Sequence, residues 1–516
     1  VIHAVQRDRL HRLYSVVLEA AWILFLVTLP VTSFPFFPPD LGGGTLVRPL
    51  GVYPLLVLVA FGTIPRLVKS RLPHTLLSFL PFVLAALAGV LLASLRSVEP
   101  VQGVSVSSRM LRALITLGLG GAIYFTVVLI PRSIEDLRST LRWLYVGFAV
   151  ALLWGSLQAI YIIRFSDRYF EFLSSIQGFI SIRRLFPARI SGLTYEPNWF
   201  AEQITFLLMP WLFAAVLRKR SCFPWRLGRV TVEWFLLIWS GVVLLFTYSR
   251  TGLFIMLVLV IVSMMFFIFK RDGKARKDHP SQVKVVVGRV GGAGATVLVL
   301  SAIIFLAGTQ NGYFSRLWRY WTQDTKTSSY IEYIAFGQRI IYWETAYNIY
   351  ARNPVLGVGL GNFAFYFEEN LPHRPFNTVP EVLRIVTRSQ GASRLITSKN
   401  LYTRLLAETG LVGSATFFVF VIAILGCALY LWLSRDPAEN YWGVAGLMGL
   451  VAFAVTAVST DSFSIPNMWV VFGLVTAAAH IYGQSDSKPN LHHPGFENGQ
   501  DDSGSGERKY TLIGEV

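Results

Sequence analysis

The chain has 516 residues, of which 53% are hydrophobic and only 15% charged, with a mean hydropathy of +0.52, and this excludes an ordinary soluble fold. The formal charge of +17 raises nucleic acid as a partner, but no soluble module interleaves basic and aromatic residues. The charge reads instead as an orientation signal for membrane helices, helped by anionic lipid headgroups.

Apolar runs recur from residue 13 to residue 484, each close to the roughly 20 residues that cross a hydrocarbon core. A barrel needs polar and apolar residues in alternation, whereas Leu253 to Phe269 is apolar on every side, so the expected fold is all-α and polytopic. Twelve spans are expected, at residues 13–30, 50–65, 74–95, 110–130, 139–162, 198–217, 231–247, 252–269, 291–308, 402–430, 443–460 and 467–484. The first follows Arg7, Arg9 and Arg12 and lacks a small-residue cleavage site, so it reads as a retained helix rather than a signal peptide. Cys222 and Cys427 suggest no disulfide framework.

Basic residues set the orientation. Arg66, Lys69 and Arg71, then Arg132, Arg138 and Arg142, then the clusters at 218–229 and 270–289, fall in alternate connections, whereas the connections between them hold few. Both termini are therefore expected in the cytoplasm. Two connections on the outer side are long, 163–197 and 309–401, and loops of the second length are usually binding or catalytic devices. The expected organisation is nine spans in 1–308, a large, partly helical outer loop at 309–401, three spans in 402–484 and a disordered cytoplasmic tail at 485–516. Within the loop, Phe336, Ile340, Trp343, Tyr347 and Tyr350 fall at helical spacing and form an aromatic stripe, suited to packing on the bundle or to the headgroup layer. Asn353-Pro354 ends that helix, and Gly357, Gly359 and Gly361 allow tight turns after it.

The run Gly357 to Gly361 is not a nucleotide loop, because it follows an amphipathic helix and lacks a Walker lysine. The histidines are scattered, with His373 alone on the outer side, so no metal site is expected, and nothing resembles a nucleophile elbow. What remains is a set of charges near the outer surface. Arg250, squeezed between two spans, suits either carbonyl capping or a bidentate grip on phosphate, and Arg339 on the loop helix is a second cation of the same kind. Glu196 stands at the outer start of the sixth span, where a carboxylate favours the helix dipole or serves as a base. Glu408 lies in an apolar helix one turn after Arg404, its expected ion-pair partner.

Three pieces resemble the O-antigen ligase and O-antigen polymerase superfamily, over roughly residues 190–425. They are Ser249-Arg250-Thr251-Gly252; the stretch from Gly337 through Arg339, Trp343 and Pro354 to Gly361; and Lys399-Asn400-Leu401-Tyr402 continuing through Glu408 to Gly410 and Gly413. The resemblance implies a membrane glycosyltransferase that takes a glycan from a polyprenyl-diphosphate-linked donor outside the cytoplasmic membrane and passes it to a glycan or lipid acceptor. It implies Arg250 and Arg339 as holders of the donor diphosphate, Trp343 and Asn400 as substrate contacts, and Gly357, Gly359, Gly410 and Gly413 with Arg404 and Glu408 as structural. The ligase pattern opens its last motif with a histidine, where this chain has Lys399. A neighbouring diphosphate favours the ammonium form, so Lys399 is expected to supply charge or position substrate, with Glu196 preferred over His373 as proton acceptor. An inverting transfer of this kind needs no nucleotide and no cofactor or metal, because cations fixed at the headgroup level stabilise the departing diphosphate. The alternative is a transporter of inorganic carbon or of a lipid-linked glycan, since intramembrane Arg and Glu also line transport paths.

Overall fold

The computed structural model describes residues 2–36, 47–69, 72–228, 230–268, 281–309, 311–312, 315, 319–322, 330, 336–373, 379–387 and 395–486. About three quarters of the described residues are helical, and one hairpin of two-residue strands pairs Arg226–Leu227 with Val230–Thr231. The first half of the chain forms α1 (Ile2–Thr28), α2 (Val52–Lys69), α3 (His74–Ser94), α4 (Val106–Leu129), α5 (Ile134–Ile163) and α6 (Asp167–Ile180). Next come α7 (Pro197–Arg218), α8 (Val232–Thr247), α9 (Arg250–Ile268) and α10 (Ser281–Thr309). After α11 (Gly337–Arg352) and α12 (Pro380–Val386), the chain closes with α13 (Leu401–Leu433), α14 (Pro437–Thr456) and α15 (Pro466–Asp486).

Eight of these, α2 to α5, α7, α9, α13 and α14, are long and apolar enough to cross a membrane; α8 and Val290–Leu306 of α10 are shorter apolar helices. Their outward faces are oily too. Leu84, Leu91, Ile160, Ile238, Phe254 and Ile422 are all exposed on helices, a surface that water penalises and lipid does not. Helix starts are local in origin: Ser133 and Asp136 form a capping box on α5, and the Asp436 carboxylate caps α14.

The bundle has one core shared by both ends of the chain. Phe79 of α3, Tyr124 of α4, Phe420 of α13 and Trp469 of α15 stack and tilt against one another with ring centroids 5.1 to 6.5 Å apart. Glycine and alanine let the helices approach; a Cβ on Gly147 of α5 would lie 2.7 Å from the Val27 carbonyl of α1. α7 is the most enclosed of the eight long apolar helices and contains a π-helical turn at Gln203–Leu208.

Two expectations change here. The basic connection expected at 270–289 is shorter, because α10 already begins at Ser281; residues 269–280 lie outside the described residues. The aromatic stripe of α11 is not its buried face. Ile341, Tyr342, Thr345, Ala346 and Ile349 are buried, whereas Tyr347 and Phe336 are exposed, because the smaller residues on that side let α11 pack closely on α13. The connection expected at 163–197 contains α6, and the expected tail lies almost entirely outside the described residues.

Candidate functional site

Two of the glycine-bearing stretches form one clasp. α13 breaks its helical geometry at Gly410 (φ 63°, ψ −163°), a backbone region essentially open to glycine alone. The segment 354–361 docks into that break: Leu411 N–H donates to the Pro354 carbonyl at 2.8 Å, Val358 N–H to Ala407 at 3.0 Å and Gly359 N–H to Glu408 at 2.9 Å. The Glu408 carboxylate accepts from Gly361 N–H at 2.8 Å and from Arg404 Nε at 2.9 Å, with Arg404 and Glu408 both buried. Arg404 also donates to the backbone carbonyl of Asp461, between α14 and α15. The clasp thereby fixes the segment after α11 to the end of the bundle.

Beside it opens a cavity of about 670 Å³. α7 contributes Asn198, Trp199 and Glu202 to its wall, with Glu196 just before; α9 contributes Thr251, α11 Arg339, and α12 Glu381 and Arg384. The segment 395–399 and the connection at 459–465 complete it, the latter with Ser459, Thr460 and Asp461. Polar side chains from stretches some 260 residues apart thus converge on one concave surface, the usual form of a ligand site.

Each charge in the wall has a local reason for its position. Glu196 stands at the start of α7, but its side chain does not cap the helix; it pairs with Arg183 at 2.9 Å, whose guanidinium lies over the rings of Phe186 and Tyr195. Glu202 is buried one and a half turns further in, and Thr460 Oγ1 donates to both of its oxygens at 2.8 Å while Ser459 Oγ donates at 3.3 Å. Lys399 holds a left-handed backbone (φ 52°), secured by its N–H donating to Asp461 Oδ2 at 2.9 Å. Its ammonium bonds Glu381 and lies 5.3 Å from the centre of the Tyr342 ring. Burial opposes ionisation of Glu381, but the Lys399 ammonium and hydrogen bonds from Lys399 and Tyr342 outweigh it and hold the carboxyl below its usual range. Burial and the Glu381 charge push the Tyr342 hydroxyl well up.

Arg250 opens α9, half-buried and next to the cavity-lining Thr251. The left-handed Tyr248 (φ 47°) ends α8, and Ser249 Oγ accepts from Gly252 N–H at 3.3 Å. A Cβ on Gly252 would stand 2.5 Å from that of Ala201, so glycine seats this turn directly against α7 beside Glu202.

Residues 235–418, from α8 into α13, match the family model described as O-antigen ligase. That segment, about a third of the chain, is similar to the O-antigen ligase and polymerase superfamily. No curated protein matches the chain. The match supports O-antigen ligase-type function in glycan biosynthesis, and the apolar helices support a membrane setting.

The O-antigen ligase segment supplies Thr251, Arg339, Glu381, Arg384 and Lys399 to the cavity, while Glu196, Glu202 and Asp461 come from outside it. Among the residues singled out from sequence, Arg339, Lys399 and Glu196 line the wall and Arg250 adjoins it. Trp343 and Asn400 do not line it. The Trp343 ring packs edge-on against Phe336 at 5.5 Å, and the Asn400 amide oxygen caps α13 by accepting from Tyr402 and Thr403 N–H. Gly357, Gly359, Gly410, Arg404 and Glu408 belong to the clasp, with Gly413 in the next turn of α13. Glu202, Glu381, Arg384 and Asp461 were not singled out from sequence. Only Glu202 carried a signal there, a carboxylate inside an apolar span.

Proposed function

We propose that this cavity transfers a glycan from a polyprenyl-diphosphate-linked donor to a glycan or lipid acceptor on the outer face of the cytoplasmic membrane. The chain then crosses the membrane twelve times with both termini in the cytoplasm, and residues 309–401 form the outer wall of the site. The observation that carries the reading is the convergence of Arg339, Arg384 and Lys399, all within the segment that matches the O-antigen ligase model, on one cavity whose lining Thr251 is next in sequence to Arg250.

Such a reaction has one difficult moment. As the acceptor oxygen approaches the anomeric carbon from the face opposite the diphosphate, the carbon–oxygen bond to phosphate breaks and negative charge grows on the leaving oxygen. Fixed guanidinium groups meet that charge with planar, paired N–H donors, and they do so without reorganising in the transition state. Arg250 and Arg339 take this role. Lys399, held by Glu381 and Asp461, supplies a further positive charge and positions substrate. Inversion at the anomeric carbon follows from the opposite-face attack, and the donor carries its own activation, so no nucleotide takes part.

Purified protein incubated with lipid-linked oligosaccharides, with products followed by gel and mass spectrometry, tests this. A regular ladder of longer lipid-linked chains marks a polymerase, and a single transfer to a second acceptor marks a ligase. Wild-type protein that leaves every lipid-linked donor intact while moving a solute across a vesicle membrane overturns the proposal in favour of transport.

A further inference from the structure

The reaction needs a group to take the proton of the acceptor hydroxyl, and the four carboxylates of the cavity are not equivalent. Glu196 is tied to Arg183, and Glu381 to Lys399. Asp461 Oδ2 receives the Lys399 N–H and holds that left-handed residue in place. Glu202 differs. Among the described residues its carboxylate accepts hydrogen bonds only from the hydroxyls of Thr460 and Ser459 and has no cation within ion-pair distance. It is 4% exposed, inside the most enclosed long helix and roughly 8 Å below the helix start, yet it lines the cavity. An intramembrane carboxylate of this kind is expensive to keep without a function. The π-helical turn begins at the next residue, Gln203, and such turns are common at functional sites.

A second observation concerns the same residue. A smaller pocket of about 40 Å³ is lined by Glu202 and Thr460, which also line the main cavity. Thr456 and Asn467 line it, and among the described residues Thr456 Oγ1 and Asn467 Oδ1 are buried without a hydrogen-bond partner. Buried polar atoms need partners, and this volume holds on the order of two or three waters. Glu202 therefore lines both a substrate-sized cavity and a small, mostly apolar pocket of water size that contains the residues of two unpaired polar atoms.

We propose that Glu202 is the catalytic base of the glycan transfer and that the pocket at Thr456 and Asn467 holds the waters with which it exchanges its proton. The proposal rests on the glycan-transfer reading. The acceptor oxygen uses a lone pair to form the new bond to the anomeric carbon, and the bond from that carbon to the diphosphate oxygen breaks with its electron pair going to the diphosphate. The hydroxyl proton passes to the Glu202 carboxylate and then, through the pocket waters, to the departing diphosphate or to solvent, restoring the base. Thr460 and Ser459 hold the carboxylate in place through the hydrogen bonds they donate.

The test compares wild type, Glu202→Gln and Glu202→Asp as full-length protein in lipid nanodiscs, with a lipid-linked oligosaccharide donor that wild type consumes. The charged groups around the base, Arg339, Glu196, Lys399, Glu381, Arg384 and Asp461, are the same in all three proteins. Expected for Glu202→Gln is a fall in transfer rate of roughly 100-fold or more with donor KM within a few-fold of wild type, and a residual rate that no longer declines on the acid side. Glu202→Asp keeps a carboxylate, so it keeps an acid limb, displaced from that of wild type, at a reduced rate. A Glu202→Gln rate within about threefold of wild type, or one that keeps the wild-type acid limb, overturns the proposal. If the Gln variant fails to insert, an acid limb in Glu202→Asp identical to that of wild type overturns it equally. Wild type that transfers nothing defeats the glycan-transfer reading itself, a result distinct from an active wild type with an active Gln variant.

Discussion

Gly357 and Gly410 meet backbone to backbone: a Cβ on Gly357 would lie 2.5 Å from the carbonyl carbon of Glu408, and one on Gly410 would lie 2.4 Å from the Val355 oxygen. Both have positive φ. Two stretches more than fifty residues apart thus require glycine for the same contact. Gly410→Ala meets both the overlap and a backbone region that costs about 1 to 3 kcal/mol for other residues. The expected result is a clearly lower Tm in detergent and less protein in the membrane, with Gly357→Ala giving a similar loss. A Gly410→Ala protein as stable as wild type removes the clasp as a structural requirement.

The Arg404–Glu408 pair lies within that clasp, and removing one partner strands the other in a buried site. Arg404→Leu or Glu408→Leu alone is expected to cost about 3 to 5 kcal/mol, and the double variant less than the sum. A double-mutant cycle on thermal or denaturant unfolding checks this. Strict additivity, with no coupling between the two positions, contradicts the contact.

Much of this fold is readable from composition because each apolar run needs only its own hydrogen bonds to become a helix. The Arg404–Glu408 pair is readable for the same local reason, since four residues make one turn. The face of α11 is not: Phe336, Trp343 and Tyr347 form the more aromatic stripe, but the face with Ile341, Tyr342, Ala346 and Ile349 is the buried one, against α13. The cavity is readable only in part. Arg339 and Lys399 stand out as cations of the long 309–401 connection, whereas Glu381, Arg384 and Asp461 are ordinary loop charges until folding brings α12 and the α14–α15 connection to the cavity that α7 also lines. Glycines at 357 to 361 announce a turn but not the α13 break that receives it.

The proposed twelve-span arrangement makes a topological prediction. Single cysteines placed in a protein lacking Cys222 and Cys427, at residues 270–280 and at 363–373, are expected to label oppositely with an impermeant thiol reagent in intact cells. Labelling at 363–373 and protection at 270–280 is the expected pattern. The reverse pattern inverts the site to the cytoplasmic face.

Arg250 and Arg339 are about ninety residues apart in sequence, and the proposed diphosphate grip needs both. Arg339→Ala and Arg250→Ala are each expected to lower transfer by roughly 100-fold or more at matched protein levels, a loss typical of removing one transition-state donor. Lysine at either position restores charge without the planar fork, so partial recovery is expected. Near-normal product from both alanine variants eliminates the grip.

Lys399 separates charge from geometry. Its ammonium meets Glu381, its N–H meets Asp461, and its backbone is left-handed, so substitutions at this one position remove different things. Lys399→Arg keeps a cation for Glu381 and is expected to retain much of the activity. Lys399→Gly relaxes the backbone while deleting the charge, and Lys399→Ala deletes the charge alone; both are expected to be severely impaired, which assigns the loss to charge rather than strain. The pair also has a pH signature. Glu381 in the folded protein titrates below its ordinary value of 4.5 because Lys399, Tyr342 and Arg339 favour its ionised form over the opposing effect of burial. A depressed carboxyl stabilises the fold fully above its unfolded value, and that contribution disappears as pH falls through the lower folded value. Limited proteolysis between α12 and Lys399 is therefore expected to stay slow from neutrality down to about pH 4.5 and to accelerate below it. The acceleration is expected to shrink in Glu381→Gln, where no charge remains to be lost. Cleavage that accelerates on the alkaline side instead, or an acid response identical in Glu381→Gln, defeats the pairing as the latch of the cavity wall, and a Lys399→Arg protein as inactive as Lys399→Ala, with both folded and binding donor, hands Lys399 a role in proton transfer.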